Sequence, residues 1–221
     1  DQEPVSEPPK KRSLKLLWLL LVVLVLGVGA YATTQSSFLS VGEITVKGVE
    51  KRVTEEEVLE VADINQGDSM FGLDLAKADE NVTSLPWVSE VTVERKWPRS
   101  ILITLKEREP SVIAVIPNGE KFLLDRSGVV LDQVNQNDAS LPVIRVDEVG
   151  VLGTQISGIT PLLRAAEEVT SDLGAWILAL APTGGGVRAE LVGGVVAELG
   201  IGTDFRDEMR SLATVLTRVQ L

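Results

Sequence analysis

The 221-residue chain contains no cysteine and no histidine. It therefore has no disulfide framework and no thiolate chemistry. The commonest general base and metal ligand is missing too, which excludes a Ser-His-Asp triad and a histidine-bearing zinc site. There is no G-x-x-x-x-G-K-[ST] phosphate loop, no G-x-S-x-G nucleophile elbow and no D-x-[DN]-x-[DN]-G calcium loop. A net charge of −11 leaves no basic footprint for a general nucleic-acid binder. These absences point to a protein that is not an enzyme, needs no cofactor or metal, and acts by binding other molecules.

The charge is unevenly placed. Residues 1–32 carry four basic and three acidic residues, a net +1, while the remainder carries seventeen basic and twenty-nine acidic, a net −12. The four basic residues are Lys10, Lys11, Arg12 and Lys15, and an apolar run over residues 16–32 follows them directly. Residues 1–13, with Pro4, Pro8 and Pro9, read as a disordered cytoplasmic tail. Seventeen apolar residues at about 1.5 Å each give about 25 Å, enough for a thin hydrocarbon core, and extension over 14–34 makes a full single transmembrane helix. Trp18 and Tyr31 stand near its ends, where interfacial aromatics belong. The basic cluster then holds the N-terminus in the cytoplasm and sends the bulk of the chain outside. A cleaved signal peptide is the competing reading, because Ala30-Tyr31-Ala32 has the small-x-small form. The long apolar run and the proline-bearing tail favour a retained anchor.

Beyond the run, Val41, Ile44 and Val46 mark a strand ended by Gly48. Thr54 followed by Glu57 is a capping box that opens a helix carrying Val58, Val61 and Ala62 on one face. Asp74 is a second N-cap, and Leu75, Ala78, Val82 and Leu85 form one face of the helix after it, which Pro86 ends. Residues 85–110 hold two strands of period two with a Trp97-Pro98-Arg99-Ser100 turn between them. We expect that ribbon to need the two helices as cover. Its second strand, residues 100–106, is expected to be the outer one and to continue directly into a second domain at Pro110.

After Pro110 come a strand over 111–117, an Asn118-Gly119 hairpin turn, a return strand, an Asp125-Arg126-Ser127-Gly128 turn and a strand over 141–146. One amphipathic helix is expected over 161–173, with Gly174 as its C-terminal signal. Glycine-rich turns at 183–186 and 192–194 separate three further strands, and a last helix begins after Asp204. The fold class is α+β.

Several of these stretches resemble the bacterial FtsQ/DivIB cell-division family. The opening strand over 41–48 is similar to that of a POTRA domain. The composite of Leu85, Pro86, Trp87 and Val88, then Arg95, Trp97 and Pro98, then Glu107, Arg108 and Pro110 resembles the family pattern. The resemblance implies a cytoplasmic tail (1–13), a span (14–34), a βααββ POTRA-like domain (38–109) and a mixed, β-rich second domain with two helices (110–221). It implies a non-catalytic divisome scaffold at the septum that binds the single-span coiled-coil proteins FtsB and FtsL and helps regulate septal peptidoglycan synthesis. By position it places partner contacts at Val195, Ala197, Leu199, Phe205 and Arg206. It also implies contacts of the POTRA domain and span with other division proteins and the lipid bilayer. In the family the last helix leads into a closing strand, whereas this sequence stops at residues 219–221, which leaves that strand's contribution open. A POTRA-type protein-binding or carbohydrate-binding module unrelated to division is the alternative. Trp87 and Trp97 could then stack on a sugar, although core or hinge positions suit a ring beside a proline better.

Overall fold

The computed structural model describes residues 14–34, 39–134, 141–202 and 204–219, with the side chains of 14–17, 30–34 and 219 outside the description. Lys10, Lys11, Arg12 and the side chain of Lys15 therefore lie outside it. Helix α1 (Leu14–Thr34) covers the apolar run. Among the described residues no helix is long and apolar enough to cross a membrane. The described side chains of α1 are those of residues 18–29, about 18 Å of rise, and every large apolar one among them is exposed.

Strand β1 (Glu43–Lys47) is followed by α2 (Glu55–Ala62) and α3 (Leu75–Thr83). Both helices start where a side chain satisfies an otherwise unpaired N–H. Thr54 Oγ1 accepts from Glu57 N at 3.2 Å, and Asp74 Oδ1 accepts from Lys77 N at 3.1 Å. Strands β2 (Val88–Lys96) and β3 (Ser100–Glu107) then pair antiparallel, Val93 opposite Ile103.

The sheet order is β1-β3-β2. This corrects the expectation that residues 100–106 form the outer strand. β1 pairs parallel to β3, Ile44 against Ile101 and Val46 against Ile103, and so puts β3 in the middle. The two-helix connection sets β2 one strand away from β1, and the β2–β3 hairpin then turns the chain back into the gap, parallel to β1. Ile101 and Ile103 are fully buried as a result, under Val58 and Ala62 of α2 and Ala78 and Val82 of α3.

The second sheet has seven strands in the order β10-β9-β8-β7-β4-β5-β6. These are β4 (Pro110–Val115), β5 (Lys121–Asp125), β6 (Val130–Gln133), β7 (Val143–Arg145), β8 (Ile177–Thr183), β9 (Gly186–Leu191) and β10 (Val196–Gly200). β4 and β5 form the hairpin expected at Asn118-Gly119, with Gly119 at φ 92. β7 joins β4 and β8 in parallel, so the sheet is mixed.

Residues 161–173 do not form one helix. They divide into α4 (Thr160–Glu167) and α5 (Ser171–Gly174), because Thr170 Oγ1 accepts from Leu173 N and caps a new turn. Gly174 lies inside α5 rather than after it. The last helix, α6 (Arg206–Val219), starts where Asp204 Oδ1 accepts from Arg206 N at 3.1 Å. One face of the large sheet packs Leu180, Val187, Ala189 and Leu191 against Leu162 and Leu163 of α4 and Phe205, Met209 and Leu212 beside or on α6.

The two sheets share a second apolar cluster. Ile113, Leu123 and Leu131 of the seven-stranded sheet are buried together with Val88, Leu105 and Trp87. The loop after β7 reaches the first unit as well, since a Cβ on Gly153 would meet the Ser84 carbonyl oxygen at 3.5 Å.

Candidate partner-binding edge and domain junction

The residues that carry the family resemblance are mostly fastenings. Trp87 is buried, and the Arg52 guanidinium lies over its ring at 4.6 Å. Val88 is buried, and Leu85 packs against the same cluster. Pro86 fills the turn between α3 and β2. Arg95 donates from Nε to the Met70 carbonyl at 2.7 Å and from Nη2 to the Leu73 carbonyl, tying β2 to the loop before α3. Trp97, unlike Trp87, does not take a core position. It is 53% exposed, follows the last residue of β2, and meets Phe71 at 5.0 Å between ring centroids. The Trp97–Pro98 peptide is cis.

Glu107 ends β3 and faces the loop leading into α2. Its carboxylate accepts backbone N–H bonds from Glu50 at 2.8 Å, Lys51 at 3.1 Å, Arg52 at 3.1 Å and Val53 at 3.2 Å. Burial pushes its carboxyl up, and the four donors together pull it down further, to below the ordinary glutamate value.

Arg108 is the pin of the junction. Its Nη1 meets Asp125 Oδ2 at 2.6 Å, its Nε donates to the Val88 carbonyl at 3.0 Å, and its own N–H donates to the Trp87 carbonyl at 2.7 Å. Pro110 opens β4 opposite Asp125. Asp125 is 7% exposed, and its Oδ1 accepts from Ser127 N, Ser127 Oγ and Val129 N at 2.7 to 2.9 Å. Burial pushes this carboxyl up, but Ser127, Val129 and Arg108 pull it down past its ordinary value. Asp125 was visible in the sequence only as a turn residue. Nothing local announced that its second oxygen holds an arginine from the preceding unit.

Both carboxyls are lowered on folding. Each therefore contributes stability that is fully present above its unfolded value of about 4 and is lost as pH falls through the lower folded value. Acid titration of the urea midpoint should show a loss below about pH 4. Glu107→Gln should cost about 1–3 kcal/mol at pH 7 and flatten that acid limb. An unchanged limb would show that the four N–H bonds do not favour the ionised form.

The two edges of the large sheet differ. The β6 edge is covered: Val130 N donates to the Thr154 carbonyl at 2.9 Å, Gly153 N to the Val130 carbonyl at 2.7 Å, and Ile156 N to the Gly128 carbonyl at 3.0 Å. The β10 edge has no further strand among the described residues. The β9–β10 hairpin closes with Leu191 N donating to the Val195 carbonyl. Register pairs Val196 with Glu190, Ala197 with Ala189 and Glu198 with Arg188. Antiparallel alternation then turns Ala197 toward β9 and the backbone groups of Val196 and Glu198 outward. Val195 and Val196 are exposed, as are Leu178, Val192 and Ile201 nearby.

The residues expected to contact partners divide by side-chain direction. Val195 and Arg206 are exposed, and Ala197 is half-buried against the core. Leu199 and Phe205 are buried in the core that α6 covers. Arg188 and Glu190 on the opposite face of β9 went unnoticed in the sequence. Glu190 pairs with Arg145 at 2.7 Å and Arg188 at 3.5 Å, and the buried Nε of Arg188 has no hydrogen-bond partner.

Residues 39–108 match the POTRA domain, FtsQ-type, family. The chain is 38% identical over 109 residues to Cell division protein FtsQ of Corynebacterium glutamicum, which spans 49% of this chain and 47% of that protein. It is 28% identical over 139 residues to Cell division protein DivIB of Clostridium acetobutylicum, 61% of this chain and 54% of that one. Over 209 residues it is 28% identical to Cell division protein FtsQ of Mycobacterium tuberculosis, 94% of this chain and 65% of the relative. The matched regions thus span about half to two thirds of these relatives' lengths. Residues 39–108 therefore form an FtsQ-type POTRA domain, and across both units the chain is similar to bacterial cell-division proteins of the FtsQ and DivIB names.

Proposed function

We propose that this protein is a non-catalytic scaffold of the bacterial divisome, anchored in the cell membrane by α1. Its N-terminus is cytoplasmic, Lys10, Lys11, Arg12 and Lys15 fix that orientation, and the remainder stands outside at the septum. Both sheets belong to this outer part, the POTRA-like unit over 38–109 and the β-rich unit over 110–221. Their junction holds them in one orientation, so that a partner bound at one end is placed relative to the span at the other. The exposure of every described large apolar side chain of α1 supports the anchor, since such a surface is stable in lipid and not in water.

The observation that carries the reading is the open β10 edge, at the opposite end of the sheet from the covered β6 edge, in a chain with an FtsQ-type POTRA domain. An extended segment from an FtsB- or FtsL-like partner adds as the next strand, through the outward backbone groups of Val196 and Glu198. Val195, Ala197, Leu199, Phe205 and Arg206 take part unequally. Val195 and Arg206 offer surface to the partner, while Ala197, Leu199 and Phe205 hold the edge in place from the core side. Through this assembly the protein helps regulate septal peptidoglycan synthesis.

Val196→Pro removes an outward donor and leaves the β9 pairing intact. It should abolish pull-down of an FtsB/FtsL pair while the melting curve is kept. Undiminished pull-down by folded Val196→Pro would show that the edge is wrongly assigned. In cells, depletion should yield filaments without septa, and a fluorescent fusion should gather at mid-cell. Normal division on depletion would overturn the reading.

A further inference from the structure

Among the described residues outside α1, two aromatic side chains are exposed, Phe71 at 56% and Trp97 at 53%; Trp87, Phe122, Trp176 and Phe205 are buried or half-buried. The two exposed rings come from different elements, the loop before α3 and the β2–β3 turn, and they touch at 5.0 Å. Two adjacent exposed rings in a watery surface are costly, so their location is informative.

They stand where the chain enters the first sheet from α1. Met70 N donates to the Leu39 carbonyl at 2.9 Å, and Ser40 and Ser69 form a β-bridge. The Arg99 carbonyl accepts from Gly42 N at 2.8 Å and Glu43 N at 3.3 Å, while Arg99 Nε donates to the Ser40 carbonyl at 3.4 Å. Phe71 is thus one residue past a direct bond to Leu39, and Trp97 is two residues before Arg99. Thr34 is the last residue of α1. Five Cα steps of about 3.8 Å separate it from Leu39, a reach of at most about 19 Å. The interfacial layer on each side of the hydrocarbon core is about 5–7 Å deep. The tether therefore allows this end of the first unit to rest on the membrane surface, and the opposite end cannot do so at the same time.

We infer that Phe71 and Trp97 form an interfacial foot that seats the POTRA domain on the outer surface of the bilayer. The inference rests on α1 being a membrane anchor. The occupant is lipid because a tryptophan beside an apolar ring suits the headgroup boundary, and the covalent tether holds the membrane within reach throughout. Attraction between charges contributes little. Lys96 is paired with Glu94 at 3.0 Å, and the exposed Arg99 is a neighbour of the exposed Glu43, whose N–H donates to the Arg99 carbonyl. Seating is then expected on neutral as well as anionic lipid and at high salt. The foot would limit swinging of the domain and set the height and tilt at which the seven-stranded sheet is presented.

The absence of cysteine makes the test direct. The full chain is reconstituted into phosphatidylcholine vesicles as single-cysteine variants Leu24→Cys, Ser69→Cys and Ser157→Cys, each carrying an environment-sensitive fluorophore. Quenching is read with doxyl groups at shallow and deep acyl positions. The expected result is deep quenching at position 24, shallow quenching at 69 and none at 157. Adding Phe71→Gln and Trp97→Gln to Ser69→Cys should abolish the signal at 69 and leave that at 24. Deep quenching at 24 with none at 69 would overturn the foot and leave the anchor standing. No quenching at 24 would overturn the anchor and the foot with it. Quenching at 69 that survives loss of both rings would overturn their role.

Discussion

Replacing Gly48 by alanine is expected to cost about 4 kcal/mol or more, among the largest losses a single substitution produces. Gly48 ends β1 at φ +88, and a Cβ there would lie 1.8 Å from the Leu105 carbonyl oxygen and 2.9 Å from its carbon. Both atoms are backbone of the central strand, so nothing flexible can move aside. Relief requires β1 to peel away from β3 and exposes Ile101 and Ile103. Gly193→Ala separates the clash from the strain. Gly193 has nearly the same φ, +86, with nothing within 4 Å of the added carbon. It should cost only the left-handed penalty of about 1–2 kcal/mol. Urea unfolding of the two variants decides the matter. Equal losses would mean that the contact with Leu105 is not the cause.

Arg108→Ala is expected to cost about 3–5 kcal/mol, the usual result of removing one partner from a buried ion pair. The loss arises mainly from Asp125, which keeps its burial and its Ser127 and Val129 donors but loses its cation. The Val88 carbonyl loses its arginine donor in the same step. Two further measurements distinguish this from lost packing. Asp125→Asn added to Arg108→Ala should recover part of the stability, because no buried charge is then left unpaired. The acid limb of Arg108→Ala should also be shallower, since the cation that lowered the Asp125 carboxyl is gone and its folded value moves back toward the unfolded one. A loss below about 1 kcal/mol would place the pair with ordinary surface salt bridges. Because the pin joins the two sheets, the variant should also loosen their orientation, visible as faster exchange of amides in β4 and β5.

Features whose chemistry is short-range were legible in the sequence. Thr54, Asp74 and Asp204 were legible as helix starts because a cap bond spans two or three residues. The Asn118-Gly119 turn was legible because its backbone demand is local. The position of β3 was not, since its parallel partner lies across two helices and no local pattern records which strand ends in the middle. Thr170 splits a stretch whose apolar face reads as continuous, because the cap competes with an uninterrupted helix and wins. At the proposed edge, the apolar residues of 195–199 looked alike. Only the packing of α6 separates the buried Leu199 and Phe205 from the exposed Val195. Asp125 and Phe71 went unread for a common reason: each acts on a residue brought near by the fold, Arg108 for one and Trp97 for the other.

The β10 edge is the centre of the functional account, and amide hydrogen exchange tests it most directly. In the free protein the Ala197 amide should be protected by its pairing with β9, while the amides of Val196 and Glu198 exchange rapidly. On addition of an FtsB/FtsL pair, Val196 and Glu198 should become protected and Ala197 should change little. Binding that leaves Val196 and Glu198 exchanging as freely as before would contradict strand addition at this edge.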